Sequence, residues 1–210
     1  MATLGDMKAR VADELARSDL TSQIASAIGD AIAFYQDKRF FFNESRDLTF
    51  NTVIGQQWYG AADNPYIPGL YFIDYLVMTV GSVVSDVPRM EPEALEILTM
   101  TGTQQGEPYA YTYYNEQIRL YPVPSQVWSI RIGAHIAVAA PASDSEANNP
   151  WMTIAEKLIR SRAKYELAIN WLKDMELAQT MTAAVTEAFD ELKGRTNRQT
   201  GRGVIRAMQF

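Results

Sequence analysis

The sequence predicts an α+β protein: a helical bundle built from both ends of the chain, an inserted antiparallel β-rich domain, and an extended C-terminal arm. The longest helical pattern covers residues 151–193, where apolar residues recur at spacings of three and four. The other clear amphipathic helices lie at the opposite end of the chain, at residues 4–17 and 20–39. Strand-like patterns fill the region between these two ends.

These patterns give explicit boundaries. The helical bundle is predicted at residues 1–39 and 151–193, the inserted β-rich domain at 40–150, and the arm at 194–210. A continuous helix over 151–193 would be roughly 65 Å long, which is longer than a domain of this size is wide. We therefore expect a break near residues 173–179. An apolar face of that length also needs partners, which the two N-terminal helices supply.

The N-terminal helices carry recognisable start signals. Thr3 is a suitable N-cap for the first helix, and Asp6 follows at the N3 position, where a negative charge is favourable. Ser18 and Asp19 mark a corner before the second helix. Alanines along that second helix would allow close packing against a neighbour.

The chain after residue 39 is rich in aromatic and β-branched residues broken by asparagine and glycine, which predicts a hairpin over residues 40–59. Residues 70–84 alternate like a strand, and a proline followed by a glutamate predicts a short helix at 92–100. The clearest strands come next. Residues 109–113 pair with 117–121 through a turn at 114–116, and residues 129–139 supply another strand.

Composition excludes several function classes. The chain has 210 residues, 47% of them hydrophobic, which is typical of a globular protein with a core. It has no cysteine and one histidine, so disulfides and thiolate chemistry are excluded and a zinc site has few ligands. No apolar run is long enough to cross a bilayer, and we expect a soluble protein without an export signal or membrane partner.

Charge is unevenly distributed. The net charge of −6 argues against a general nucleic-acid binder. Residues 194–210 contain four arginines and no acidic residue, which leaves −10 on residues 1–193.

Catalytic motifs are not found. His135 lies on a predicted strand without a nearby nucleophile pattern, so a packed histidine is the preferred interpretation. Asp13 and Glu14, like the group Glu187, Asp190 and Glu191, are helix-surface carboxylates by spacing. No phosphate-binding glycine motif occurs. The sequence thus predicts no enzyme, no metal and no cofactor.

Two groups of residues suggest interaction instead. The tyrosine-rich strand could be a sugar-stacking platform or a protein interface, and we favour a strand with core on one face and interface on the other. Its members are Tyr109, Tyr111, Tyr113 and Tyr114. The arm combines glycines with basic and apolar residues, which suits a flexible segment that folds onto something else. These residues are Arg195, Arg198, Arg202, Val204, Ile205, Arg206, Met208 and Phe210.

Several segments, taken in order, resemble the head-to-tail adaptor, or connector, proteins of tailed bacteriophages. At the N-terminus these segments are VADELARSDL at 11–20, together with Leu4, Gln23, Ile24, Ala31, Ile32 and Tyr35, and RFFFNE at 39–44. The remaining ones are TVIGQQWY at 52–59, GEP at 106–108, IRLYPVP at 118–124, and Trp151 with EKLIR at 156–160. The likeness runs nearly from end to end.

The resemblance implies a structural virion protein that forms a ring, commonly of about twelve copies, in the neck between capsid and tail. The ring would join the portal to the tail and continue the channel through which DNA passes, without specific binding, during genome ejection. The C-terminal arm would dock on the portal protein, and the β-domain would face the tail (nozzle or tube) proteins. Such a protein is made in the host cytoplasm and acts in tail assembly.

Two other functions stay open at the level of sequence. One is a carbohydrate-binding or host-receptor-binding module that uses the tyrosine-rich β-domain. The other is a cell-wall-degrading enzyme, which would need two of the scattered carboxylates to meet at catalytic separation in a cleft.

Overall fold

The computed structural model describes residues 3–100, 102 and 104–201. The N-terminal half contains α1 (Leu4–Glu14), α2 (Thr21–Tyr35), β1 (Glu44–Asn51), β2 (Trp58–Tyr59), β3 (Leu70–Val80), β4 (Val83–Asp86) and α3 (Pro92–Thr99). The remainder contains β5 (Gln105–Gly106), β6 (Ala110–Tyr114), β7 (Gln117–Tyr121), β8 (Val123–Pro124), β9 (Ser129–Ile136), α4 (Pro150–Thr153), α5 (Glu156–Leu167) and α6 (Met175–Thr200). Helices and antiparallel sheets together confirm the α+β class.

The described residues form two compact units. The helical unit contains residues 3–42 and 138–201, and the β unit contains residues 43–137. The sequence prediction had drawn the corresponding boundaries at residues 40 and 150.

The helical unit is built around α2 and α5. The buried face of α2 includes Ile24, Ile28 and Ile32, and α5 contributes Leu158 and Ile159 to the same core. On α2 the small residues at 27 and 31 are fully buried, so they allow close packing. At the start of α1 the Thr3 side chain accepts a hydrogen bond from the Asp6 amide, and the Asp6 carboxylate accepts one from the Thr3 amide. This reciprocal cap confirms the predicted start of the first helix.

Aromatic side chains fill the remainder of this core. Trp151 is fully buried, and its indole N–H donates to the Val138 carbonyl over 2.9 Å. The Phe42 ring meets the Trp151 ring edge to face at 5.1 Å, and Phe40 stacks on Phe42 at 5.3 Å. The sequence pattern places Phe40 and Phe42 in the β-rich domain. They belong to the helical unit because their rings pack on the buried tryptophan.

The predicted break in the C-terminal helical stretch is confirmed. A π-helical turn, Ala168–Leu172, follows α5, and Lys173 adopts a left-handed conformation with φ of 54°. The Asp174 side chain then accepts a hydrogen bond from the Leu177 amide at 2.9 Å and caps α6.

The end of α6 corrects the prediction for the arm. The helix continues through Gly194 to Thr200 and ends at Gly201, whose φ is 68°. A glycine inside a helix costs about 1 kcal/mol, but Leu192 and Thr196 on either side are buried and offset that cost. Residues 195–200 are therefore helical, not extended. The predicted arm residues at 202–210 lie outside the described residues.

The β unit contains one four-stranded antiparallel sheet with the order β1-β9-β3-β4 and a three-stranded antiparallel sheet with the order β2-β7-β6. A short parallel pair joins β5 and β8. Apolar residues from both larger sheets form one core, including Leu76, Ile118, Leu120 and Ile132.

The predicted hairpin over residues 40–59 is wrong. β1 pairs with β9, whereas β2 pairs with β7. The chain that follows β1 is tied to the segment before β9 and does not turn back on β1. The Thr52 hydroxyl donates to the Gln126 carbonyl at 2.9 Å and accepts from the Trp128 amide at 2.8 Å. The eight-residue β9 is a longer partner for β1 than the two-residue β2.

Other β-unit predictions hold with adjusted ends. The stretch at 70–84 contains two strands, because Gly81, with φ of 60°, turns the chain between β3 and β4. The helix predicted at 92–100 is α3. β6 and β7 pair as predicted through a turn in which Asn115 and Glu116 both have positive φ.

Candidate interaction surfaces

The histidine and most of the carboxylates considered as possible catalytic groups take part in packing or in ion pairs. His135 is buried in β9, with its ring centre 5.2 Å from that of Tyr71. Glu14 pairs with Arg160 and Lys164, and Lys157 pairs with both Glu187 and Glu191. Across the described chain, no group of three or more histidine, cysteine, aspartate or glutamate side chains is placed to hold a metal ion. None of the helices described is both long and apolar enough to span a membrane.

The four predicted interface tyrosines do not share one surface. Tyr111 is only 3% exposed, and burial raises the pKa of its hydroxyl to about 12. Tyr113 is half-buried, and its hydroxyl donates to the Ile67 carbonyl at 2.9 Å. Tyr109 and Tyr114 are 52% and 63% exposed. Only these last two are available to a partner, because β6 turns the side chains of Tyr111 and Tyr113 towards the core of the β unit.

A pocket of the β unit lies beside Tyr114. It has a volume of about 230 Å³ and is lined by Trp58, Pro92, Glu93, Glu96, Thr112, Tyr114 and Arg119. These residues come from three separate parts of the sequence. No single stretch carries a pattern that would have predicted this pocket.

Arg119 organises the pocket. Its guanidinium group pairs with Glu96, donates to the Thr99 hydroxyl at 3.3 Å and lies over the Trp58 ring at 5.0 Å. The Arg119 Nε and the Thr112 hydroxyl are buried and have no hydrogen-bond partner among the described residues. The pocket therefore combines aromatic walls with the polar side chains of Glu93, Glu96 and Arg119.

One end of the four-stranded sheet carries no charged residue and exposes several apolar side chains. The register aligns Asn51, Ser129 and Thr79 across three strands, so the loops beyond them lie at the same end. The segments at this end contain no charged residue: 52–57, 125–128 and 81–85, the last comprising the β3–β4 turn and the first residues of β4. Their exposed apolar side chains are Val53, Ile54, Val83, Val84 and Val127.

The helical unit has a larger apolar groove of about 340 Å³, formed by the end of α2, by α5 and by α6. The residues that line it are Phe34, Tyr35, Lys38, Arg162, Tyr165, Thr182, Val185, Thr186 and Phe189. Tyr35 stacks on Phe189 with ring centres 5.9 Å apart, and burial raises the pKa of the Tyr35 hydroxyl.

Arg162 forms one wall of this groove. Its guanidinium carbon lies 4.0 Å from the Phe34 ring centre and 4.9 Å from the Tyr165 ring centre, and the group pairs with Glu166 at 2.6 Å. Phe34 nevertheless remains half exposed. The groove thus leaves part of an aromatic side chain exposed beside the guanidinium group.

The predicted arm begins on helical residues. Arg195 and Arg198 are exposed near the end of α6, and the Arg195 guanidinium lies 5.5 Å from the Phe41 ring centre. The other predicted arm residues lie outside the described chain: Arg202, Val204, Ile205, Arg206, Met208 and Phe210.

The family model described as SU10 adaptor protein matches residues 2–207 of this chain. The match spans both units. No curated protein matches the chain.

Proposed function

The chain belongs to the SU10 adaptor protein family, and from this premise we propose that it forms the ring that joins the phage portal to the tail. The family is one of phage adaptor proteins, which gives this chain a structural role as a component of the virion. In the proposal the ring contains about twelve copies, lies in the neck between capsid and tail, and continues the DNA channel. No catalytic step is part of this role.

One observation carries the proposal: the family match extends over both units and past the end of α6. A match confined to the helices would be compatible with many bundles. Coverage of the inserted β unit and of most of the basic C-terminal segment links residues 2–207 to an adaptor.

The arm supplies the proposed contact with the portal. Residues 202–210 span up to about 30 Å when extended at about 3.3 Å per residue, and they continue from a helix end that already carries exposed Arg195 and Arg198. Ordering such a segment costs about 1 kcal/mol per residue, so one arm binds weakly. In a ring each further arm binds at high effective concentration, and the joint becomes stable.

The β unit supplies the proposed contact with tail proteins. Tyr109 and Tyr114 are exposed, and the uncharged apolar end defined by Val53, Ile54 and Val127 offers a second contact area. An uncharged apolar patch favours burial against protein over contact with DNA.

The test is native mass spectrometry of purified portal rings mixed with the protein. We expect the intact chain to add about twelve copies per portal, and a variant lacking residues 202–210 to stay folded but add none. This truncation is preferable to removal of residues 195–210, because Thr196 accepts a hydrogen bond from the Phe41 amide and shortening α6 would disturb the helical core. The matched control replaces exposed Glu176 by glutamine at the opposite end of α6. If the truncated chain added to portal rings in the normal number of copies, the proposed role of the arm would be contradicted.

A second candidate is carbohydrate binding by the β unit. The pocket between Trp58 and Tyr114, with Arg119 and Glu93 beside the rings, has the aromatic and polar groups that sugars bind. A glycan array tests it directly: saturable binding that Trp58→Ala abolishes would favour this candidate over the adaptor role.

A further inference from the structure

The groove of the helical unit is apolar, open and connected by the chain itself to an apolar segment. Its α6 wall consists of Thr182, Val185, Thr186 and Phe189. The same helix leads, after Thr200, into residues 202–210, which contain Val204, Ile205, Met208 and Phe210. We propose that residues 202–210 occupy this groove of their own copy until the portal displaces them. The displacement by the portal rests on the proposed function, whereas occupation of the groove does not.

The end of α6 allows the chain to reverse. Gly201 has a φ of 68°, a left-handed conformation that ends the helix and redirects the chain. Gly203 follows two residues later and is equally free to turn.

The reach matches the groove. Extended at about 3.3 Å per residue, the chain takes Met208 about 23 Å from Gly201 and Phe210 about 30 Å from it. Along α6, at about 1.5 Å per residue, Thr186 lies about 23 Å from Gly201 and Thr182 about 29 Å from it. A segment that returns along the helix thus brings its last two apolar residues level with the groove.

The positions of two charged residues are consistent with residues 202–210 returning along α6. Arg206 reaches about 17 Å from Gly201, which is level with Asp190 at about 17 Å along α6. Asp190 is exposed and lies one turn beyond Thr186 on the same face of the helix. The proposed docking therefore places two opposite charges at the same level along α6.

Occupation by the same copy is favoured by effective concentration. A short tether holds the segment at roughly millimolar local concentration, far above that of another copy in dilute solution. In the free protein, the docked segment would also cover aromatic side chains of the groove that otherwise face water.

Disulfide trapping tests the proposal, because the chain has no cysteine of its own. One variant carries Thr186→Cys with Met208→Cys. Its matched control carries Thr180→Cys with Met208→Cys, since Thr180 is exposed on the opposite face of α6. Under mild oxidation at low protein concentration, without portal, we expect an intrachain disulfide to form at least about tenfold faster in the first variant.

A charge exchange tests the register. Arg206→Asp in the Thr186→Cys, Met208→Cys background should slow trapping several-fold, and adding Asp190→Arg should restore it. Equal trapping rates at positions 180 and 186, or disulfides only between copies, would overturn the proposal. Trapping as expected, combined with normal portal joining by the chain that lacks 202–210, would retain occupation of the groove and reject both displacement by the portal and the portal role of the arm.

Discussion

Single residues decide how closely the strands of the β unit pack. Gly133 lies in β9 opposite Tyr75 of β3. A Cβ atom at position 133 would lie 2.2 Å from the Cε1 atom of the Tyr75 ring. The ring is held over the glycine because the Tyr75 hydroxyl donates to the Arg46 carbonyl at 2.9 Å. Glycine is required here for space, not for an unusual backbone conformation.

We therefore expect Gly133→Ala to lower the free energy of unfolding by about 1–3 kcal/mol, because the Tyr75 ring must move and lose its hydrogen bond. The matched control is Gly29→Ala in α2, where no atom outside the helix lies within 4 Å of the added methyl group. That change should raise stability by about 0.5–1 kcal/mol. Urea denaturation measures both. Unchanged stability of Gly133→Ala would show that the ring moves without cost.

Residue-scale prediction from the sequence succeeds where the determinants are local. The Thr3 cap depends on Asp6 three residues away, so the pattern is visible in the sequence. The exposure of each tyrosine in β6 depends instead on which side of the strand faces the core, and Tyr113 is fixed by a carbonyl 46 residues earlier. Trp58 and Arg119 likewise meet only in the folded β unit.

At the scale of elements, ion pairs attach α1 to α5. Glu14 lies 2.5 Å from Arg160 and 2.6 Å from Lys164. Partial burial alone would raise the pKa of the Glu14 carboxyl, but the hydrogen bond and charge of Lys164, together with Arg160, outweigh it and lower that pKa below its ordinary value of 4.5. The folded state thus favours the ionised carboxylate.

A lowered folded pKa means that this contribution is present above the unfolded pKa and is lost as the pH falls through the folded value. We expect Glu14→Gln to lower stability at pH 7 by less than about 1 kcal/mol, because the pair is partly exposed. The difference from the parent should disappear progressively below about pH 4.5. Asp13→Asn, one position along the same helix, is the control. Urea titrations across this pH range decide it, and a difference that persists at pH 3 would contradict the ion-pair explanation.

Element-scale prediction failed where pairing depends on distant partners. Length alone required a break in the C-terminal helical stretch, and the break occurs at Lys173. The sequence could not show that β1 pairs with β9, because the choice depends on the competing strand almost 80 residues later. Gly194 was interpreted as a helix end, but the buried neighbours that keep the helix intact are recognised only from its packing.

At the scale of the whole molecule, the negative charge belongs to the β unit. Residues 43–137 contain ten acidic residues against four arginines, a net charge of −6 with His135 neutral. The remainder of the chain contains fifteen acidic and fifteen basic residues and is neutral overall. In the proposed ring this negative charge would repel DNA from the β unit, which suits a channel through which DNA must slide.

We accordingly expect no measurable binding of duplex DNA by the intact protein at physiological salt, even at the micromolar concentrations where non-specific binders associate. The comparison variant carries Asp47→Lys, Glu107→Lys and Glu116→Lys, three exposed positions of the β unit. Each reversal adds two positive charges, so the net charge rises from −6 to zero. Fluorescence anisotropy with labelled duplex should detect salt-dependent binding by the variant at low ionic strength and none by the parent. Equal, salt-dependent binding by the parent would show that its basic segments bind DNA despite the acidic β unit. That result would contradict a channel through which DNA passes without being bound.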